Sequence, residues 1–352
     1  MGMKNFIARL TGFRNSSSSG MFSSAMAIDL GTATTIIHQL DRGIILEEPS
    51  VIAFERDTDN ILAVGYDAKA MLGRTGRDIA VIRPLKDGVI KEATATMAML
   101  RRFFEQSQSR RFSMRPRVLV CVPSGITEVE VNAVRSSLER AGAREVLLVP
   151  EPLAAAIGVG LPVEAPVGNM IVDIGGGTTE VAVISLNSIA ADSSIRVGGD
   201  EMNEAIINYM KKTAYLLIGE RTAEMVKIKL GSMLEDDSRE EEVSGMDATY
   251  GIPKTYSVKA SQIRSALQQP VNAIIQAVQQ GLEKTPPELG RDIVNRGIVL
   301  TGGGALLRGL DVLLSRETSL PVRIADNPIS CTVLGAGIIL SDLYRYRKLL
   351  IN

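Results

Sequence analysis

Asp173 closes the apolar run Met170-Ile171-Val172. Ile174, Gly175, Gly176, Gly177 and Thr178 follow before the alternation resumes through Val181 and Val183. The pattern predicts a β-hairpin closed on glycines. Residues without a Cβ let backbone N–H groups approach an anion that a side chain would hold off, and Thr178 adds a hydroxyl donor. Such a tip suits phosphate. Asp173, at the end of the first strand, faces the same space and suits Mg²⁺, which takes few carboxylates and fills its shell with phosphate oxygens and water.

The pattern occurs twice. Ala27-Ile28-Asp29-Leu30-Gly31-Thr32-Ala33-Thr34-Thr35 again reads strand, acid, glycine, threonine, strand. Two such tips facing each other across a cleft would grip a polyphosphate from both sides, with one metal between Asp29 and Asp173. A third cluster, Gly302, Gly303, Gly304 and Ala305, follows a predicted strand over 297–300 and precedes an apolar-periodic helix over 306–314. A flat base would lie there on bare backbone. The implied architecture is α/β, a duplicated domain around a nucleotide.

The elements that must position these residues follow from periodicity and turn chemistry. Strands are predicted over 36–40, 44–47 and 51–54 as a meander, then over 118–122, 146–149, 256–259 and 322–325. Helices are predicted over 67–72, 93–104, 127–141, 200–217, 222–230, 261–282 with a break near Pro270, and 332–343. Thr127 caps its helix with Glu130 at the third helical position. Glu151 begins another helix. Gly335-Ala336-Gly337 allows close helix packing, the acidic run 235–242 reads as a solvated loop, and the single His38 is given no role.

A chain of 352 residues, 45% of them apolar, can bury a large core, and its length suggests two domains. The net charge of −1 supplies no field for nucleic acid, so no such partner is expected. Cys121 and Cys331 lie in or beside apolar runs with no partner at metal spacing; both are expected as reduced core thiols in a cytosolic compartment. No apolar run nears the roughly 18 residues of a membrane span, and no secretory leader is recognisable. Phe6 breaks the N-myristoylation pattern.

Two stretches suit a membrane surface instead. Met3, Phe6, Ile7, Leu10 and Phe13 share one helical arc, flanked by Lys4, Arg9 and Arg14, with no acid before Asp29. The serine-rich stretch 15–20 is a flexible linker. Further on, Arg110, Arg111, Arg115 and Arg117 surround Phe112 and Met114, and each cation near anionic lipid contributes about 1 kcal/mol.

Asp29-Leu30-Gly31-Thr32, the stretch from Asp173 to Thr179 and Thr301-Gly302-Gly303-Gly304-Ala305, in this order, resemble the two phosphate motifs and the adenosine motif of actin-like ATPases. Glu48-Pro49-Ser50-Val51, Arg83-Pro84-Leu85-Lys86-Asp87-Gly88, Glu151-Pro152-Leu153-Ala154-Ala155-Ala156 and Val197-Gly198-Gly199-Asp200 narrow the likeness. From about Met21 to about Leu343 the chain resembles the MreB family of rod-shape-determining bacterial actins.

That resemblance implies an actin-like ATPase fold, with two duplicated ribonuclease-H-like lobes around a nucleotide cleft, each carrying a smaller subdomain. The implied division is 1–25 membrane-binding segment and linker, 26–165 first domain, 166–334 second domain, and 335–352 a C-terminal helix packing back on the first. ATP and Mg²⁺ are the implied cofactors. Gly31, Thr32, Ala33, Thr34, Gly175, Gly176, Gly177 and Thr178 would hold phosphate, Asp29 and Asp173 the metal mainly through water, and Glu224 and Lys227 the ribose and base side. Gly302, Gly303, Gly304 and Ala305 would take the base. Phosphoryl transfer to water needs a positioned water as well as charge stabilisation; Glu151, with Thr178, is the implied catalytic group.

The implied function is a slow ATPase that polymerises into paired protofilaments on the cytoplasmic face of the inner membrane and helps determine rod shape by organising wall synthesis. Implied partners are its own copies, anionic lipids and membrane proteins of wall elongation, with Met21 and Phe22 joining the membrane contacts. The chain departs from the family pattern at Thr34, usually Asn; Pro150, usually Glu; Val131-Asn132, usually two Arg; and Ile338, usually polar. A filament that binds ATP but hydrolyses little stays open as an alternative. A chaperone or sugar kinase of the same fold is the remaining one, although a chaperone needs a peptide-binding domain and a kinase a dedicated catalytic Asp.

Overall fold

The computed structural model describes residues 25–107 and 115–351. The cationic arc at Phe6, Ile7, Leu10 and Phe13, together with Met21, Phe22, Phe112 and Met114, lies outside them.

The first lobe opens with β1 (Ala25–Leu30), β2 (Thr34–Gln39) and β3 (Gly43–Pro49), an antiparallel meander. The predicted third strand of that meander instead leaves it. As β4 (Ile52–Glu55) it pairs with β5 (Ile61–Val64) and β6 (Ile79–Ile82) in a separate three-stranded sheet that carries α1 (Gly65–Met71). A two-stranded hairpin, β7 (Leu85–Lys86) and β8 (Val89–Ile90), leads to α2 (Ala93–Ser107). Then come β9 (Arg117–Val122), α3 (Glu128–Ala141), β10 (Glu145–Pro150) and α4 (Glu151–Gly158). β9 pairs parallel with β1, and β10 with β9.

The second lobe repeats this plan. β11 (Asn169–Ile174), β12 (Thr179–Ser185) and β13 (Ser188–Ile195) form the meander, and after an excursion β17 (Ile298–Thr301) and β18 (Val322–Ile324) extend the sheet in parallel. The two five-stranded orders, β3-β2-β1-β9-β10 and β13-β12-β11-β17-β18, match strand for strand. The excursion contains α5 (Gly199–Thr213), β14 (Leu216–Leu217), α6 (Glu220–Leu230), β15 (Glu240–Asp247), β16 (Pro253–Lys259), α7 (Ala260–Glu283) and α8 (Pro287–Arg296).

Three expectations change here. α5 stops at Thr213, because Tyr215 takes a positive φ of 49° that no helix tolerates, and Leu216 and Leu217 then pair with Asp247 and Met246. Three of the eight residues of the acidic run are strand: Glu240 to Glu242 open β15, while the Asp237 side chain is buried between Arg239 and Arg308. Pro270 does not break α7, whose buried stripe Ile263, Leu267, Val271, Ile274 and Val278 packs without interruption.

Strands β11 and β12 are buried along their whole length, which is why the central hairpin reads as nearly continuous apolar sequence. Between the two main sheets lie α4 and α10 (Cys331–Ser341), sharing one core with Ala27, Ile36 and Val149 of the first sheet and Ile171 and Ala182 of the second. The helices cross in backbone contact: a Cβ at Gly335 would lie 1.8 Å from the Ala154 carbonyl oxygen, so only glycine fits. Cys121 and Cys331 are free and buried in this same core. Among the described residues no helix is long and apolar enough to cross a membrane.

Candidate functional site

The two hairpin turns close alike. The Gly31 N–H donates to the Thr34 carbonyl at 3.1 Å, and the Gly175 N–H to the Thr178 carbonyl at 2.8 Å. Ser50 supports the first turn, donating from Oγ to the Gly31 carbonyl at 2.7 Å. The tips meet face to face, since a Cβ at Gly176 would come within 2.6 Å of the Ala33 side chain. Behind them the Gly88 N–H donates to Thr32 Oγ1 at 3.0 Å, so the turn between β7 and β8 seals the back of the paired tips.

A cavity of about 850 Å³ opens in front. Asp29, Gly31, Thr32, Ala33, Thr34, Glu151, Asp173, Gly175, Gly176, Thr178, Glu224, Lys227, Gly302, Gly303 and Gly304 all reach its wall. Two predicted residues do not. Gly177 packs behind the tip against Thr32 and Asp87, and Ala305 is buried beneath the third glycine cluster, whose first turn is a 3₁₀ segment over Gly303–Leu306 before the helix α9 (Leu310–Thr318).

The floor of this cavity concentrates negative charge. Burial first, then the charge of Asp173, pushes the Asp29 carboxyl up to about 7. Burial raises Asp173 to about 6, against the hydrogen bond donated by Thr332 Oγ1 at 3.3 Å. Glu151, the first residue of α4, keeps a face open to the cleft; burial and the nearby Glu180, Asp29 and Asp173 hold its carboxyl well above the usual range. Acids crowded this way call for a cation or a proton.

Glu180, behind the cavity floor, is one residue that sequence reasoning missed. It stands opposite Asp173 in the β11–β12 ladder, is 1% exposed, and accepts hydrogen bonds from the Ser124 N–H at 3.1 Å and Ser194 Oγ at 3.3 Å. Burial and Asp173 raise it to about 8. A charged residue in an otherwise apolar strand was the available signal. Thr332 was missed too, as were Lys69 and Arg83. Glu224 is not free: Lys69 of α1 holds it at 2.7 Å across the cleft. The Lys227 ammonium donates to the Gly199 carbonyl at 2.7 Å, with burial lowering its pKa.

The family profile of the MreB/Mbl protein matches residues 23–348. The chain belongs to the MreB/Mbl family. Within that family it is 53% identical to the cell shape-determining protein MreB of Escherichia coli (strain K12), over 90% of this chain and 93% of that protein. It is 46% identical to the cell shape-determining protein Mbl of Bacillus subtilis (strain 168), over 93% of this chain and 99% of that one. Among solved structures, MreB 5 of Spiroplasma citri bound to AMPPNP superposes with a TM-score of 0.88 at 34% identity, covering 94% of this chain and 99% of that chain. A MamK double helical filament superposes with a TM-score of 0.77 at 19% identity, covering 91% and 99%, which shows the fold alone. The fold is therefore the expected actin-like one. The MreB/Mbl match spans every residue of the cavity wall and leaves out residues 1–22.

Proposed function

We propose that this MreB/Mbl protein is an ATP-dependent polymerising bacterial actin whose filaments lie on the cytoplasmic face of the inner membrane and help set rod shape by organising wall synthesis. Domains over 26–165 and 166–334 would carry the two halves of the nucleotide site. The observation that carries the reading is the meeting of two identically closed turns over facing carboxylates, Asp29 and Asp173. Solved relatives support it, since MreB5 of Spiroplasma citri was crystallised with AMPPNP and with ADP. The filament structure of MamK supports self-association.

Mg²⁺ suits the cavity floor, where two buried acids repel each other without a counter-charge. Among the described residues no three metal-ligating side chains converge, so Asp29 and Asp173 would leave most of the ion's shell to water and phosphate. The bound ion would neutralise charge building up on the phosphates. Thr32 and Thr178 hydroxyls and the hairpin N–H groups would orient the β- and γ-phosphates, Gly302 to Gly304 would receive the base, and Lys227 would face the ribose side. Glu151, projecting from the start of α4 toward the same floor, would orient the attacking water.

One observation favours a second reading, a filament that binds ATP but hydrolyses little of it. The raised Glu151 carboxyl is a poor proton acceptor until a cation relieves the neighbouring acids, and Pro150 brings no second carboxylate beside it. Sedimentation on anionic liposomes with Mg-ATP, with phosphate release measured alongside, tests both. ATP-dependent pelleting with phosphate release supports the first reading, pelleting without it the second, and no ATP-dependent pelleting overturns the filament.

A further inference from the structure

The two lobes are joined differently at the floor and at the mouth of the cleft. At the floor, α4 and α10 run through one apolar core with both main sheets. At the mouth, the small sheet of β4, β5 and β6 has its own core, built on Val51, Ala53 and Ala68, that takes in no residue of the second lobe. What crosses there is charge. Lys69 Nζ of α1 meets Glu224 Oε2 of α6 at 2.7 Å, and Arg83 Nη1, just after β6, meets both Asp200 Oδ1 of α5 and Glu220 Oε1 of α6 at 2.7 Å. In these three contacts every cation belongs to the first lobe and every acid to the second.

Apolar packing over a broad core resists opening, whereas partly solvated ion pairs break and re-form without disturbing a core. The floor therefore acts as the hinge, and the mouth is held by contacts that release cleanly. Arg83, Asp200 and Glu224 also reach the cavity wall, so these contacts border the space a nucleotide would occupy. We infer that the Lys69–Glu224 and Arg83–Asp200–Glu220 pairs form a clasp that holds the cleft mouth shut and sets how fast a nucleotide leaves, an inference that rests on the nucleotide-binding reading above.

Release of a fluorescent ATP analogue from the Mg-loaded monomer, followed by stopped flow, tests it. Lys69→Ala and Glu220→Ala, both at residues off the cavity wall, should each speed release several-fold, and together more. Parental release should also quicken from about 0.1 M to about 1 M salt, as the screening length falls from about 10 Å to about 3 Å, while the double variant, left with only the Arg83–Asp200 pair, responds less. Parental release rates in both single variants would overturn the clasp. A second measurement needs no nucleotide: hydrogen exchange of the α1 and α6 amides should rise with Lys69→Glu and fall back when Glu224→Lys is added. Unchanged exchange in Lys69→Glu would overturn the clasp by itself. A parent that fails to bind the analogue yet shows this exchange pattern would overturn the nucleotide reading and leave the clasp standing as a lobe contact.

Discussion

Burial, reinforced by the charge of Asp173 across the cleft floor, lifts the Asp29 carboxyl to about 7, while burial lifts Asp173 itself to about 6. In the unfolded chain both ionise at about 3.9. Between those values the folded protein holds more protons than the unfolded one, so its stability is fullest below about pH 4 on this account and is lost as pH rises through about 6 to 7. Each tenfold change in proton affinity is worth about 1.4 kcal/mol, so the two acids together amount to a few kcal/mol. Ligand-free protein should therefore unfold at lower denaturant near pH 8 than near pH 5.5. Asp29→Asn should flatten that slope, and Mg-ATP should remove most of it. An Asp29→Asn variant with the parental slope would show that Asp29 is not among its sources.

The start of α3 offers a simpler test of local structure. The Glu130 N–H donates to Thr127 Oγ1 at 3.3 Å, and the Thr127 N–H donates to Glu130 Oε2 at 2.9 Å, a reciprocal cap that satisfies two otherwise open donors. Thr127→Ala should lower stability by about 1 kcal/mol in urea unfolding, with nucleotide affinity unchanged. A loss beyond about 3 kcal/mol would mean the residue does more than cap.

What could be read in the sequence was local. The hairpins at Asp29 and Asp173 announce themselves through apolar runs that end in an acid and then glycine, and the Thr127 cap through its spacing to Glu130. Leu216 and Leu217 kept the helical period going past Thr213, and only the positive φ at Tyr215 reveals the break. β15 was hidden because its first three residues are all glutamate, half of the pattern lying against solvent. Glu180 becomes meaningful only once β12 is known to be covered on both faces. Lys69 and Glu224 lie in different lobes, and no spacing rule could have joined them. The identical strand orders of the two sheets were foreseeable from the repeated hairpin, the separate sheet of β4, β5 and β6 was not.

Membrane attachment is expected to rest on two stretches. Phe6, Ile7, Leu10 and Phe13 would enter the acyl boundary with Lys4, Arg9 and Arg14 at the headgroups, and Phe112 and Met114 would add a second contact. Each subunit alone would bind weakly, and a filament would multiply the anchors. Deleting residues 1–22 should weaken flotation on anionic vesicles, and adding Phe112→Ser and Met114→Ser should release the protein with nucleotide binding intact. Equal flotation of the combined variant and the parent would place the attachment surface elsewhere.

Glu151 separates binding from turnover. Its carboxyl lies on the cavity floor beside Glu180, Asp29 and Asp173, whereas in the proposed reading the hairpin tips, not Glu151, would make the phosphate cradle. Removing it relieves like-charge crowding around the metal-side acids, so affinity for Mg-ATP should hold or rise slightly. Without a carboxylate to orient water, phosphate release should fall by about a hundredfold or more, the scale of a positioned general base. Glu151→Ala should therefore assemble with Mg-ATP as the parent does, while release per assembled subunit drops. Glu151→Gln, which keeps the shape and one acceptor oxygen, should sit between the two if orientation matters more than proton transfer. Parental turnover in the alanine variant would remove Glu151 from the reaction; loss of ATP binding would make it part of the cradle instead.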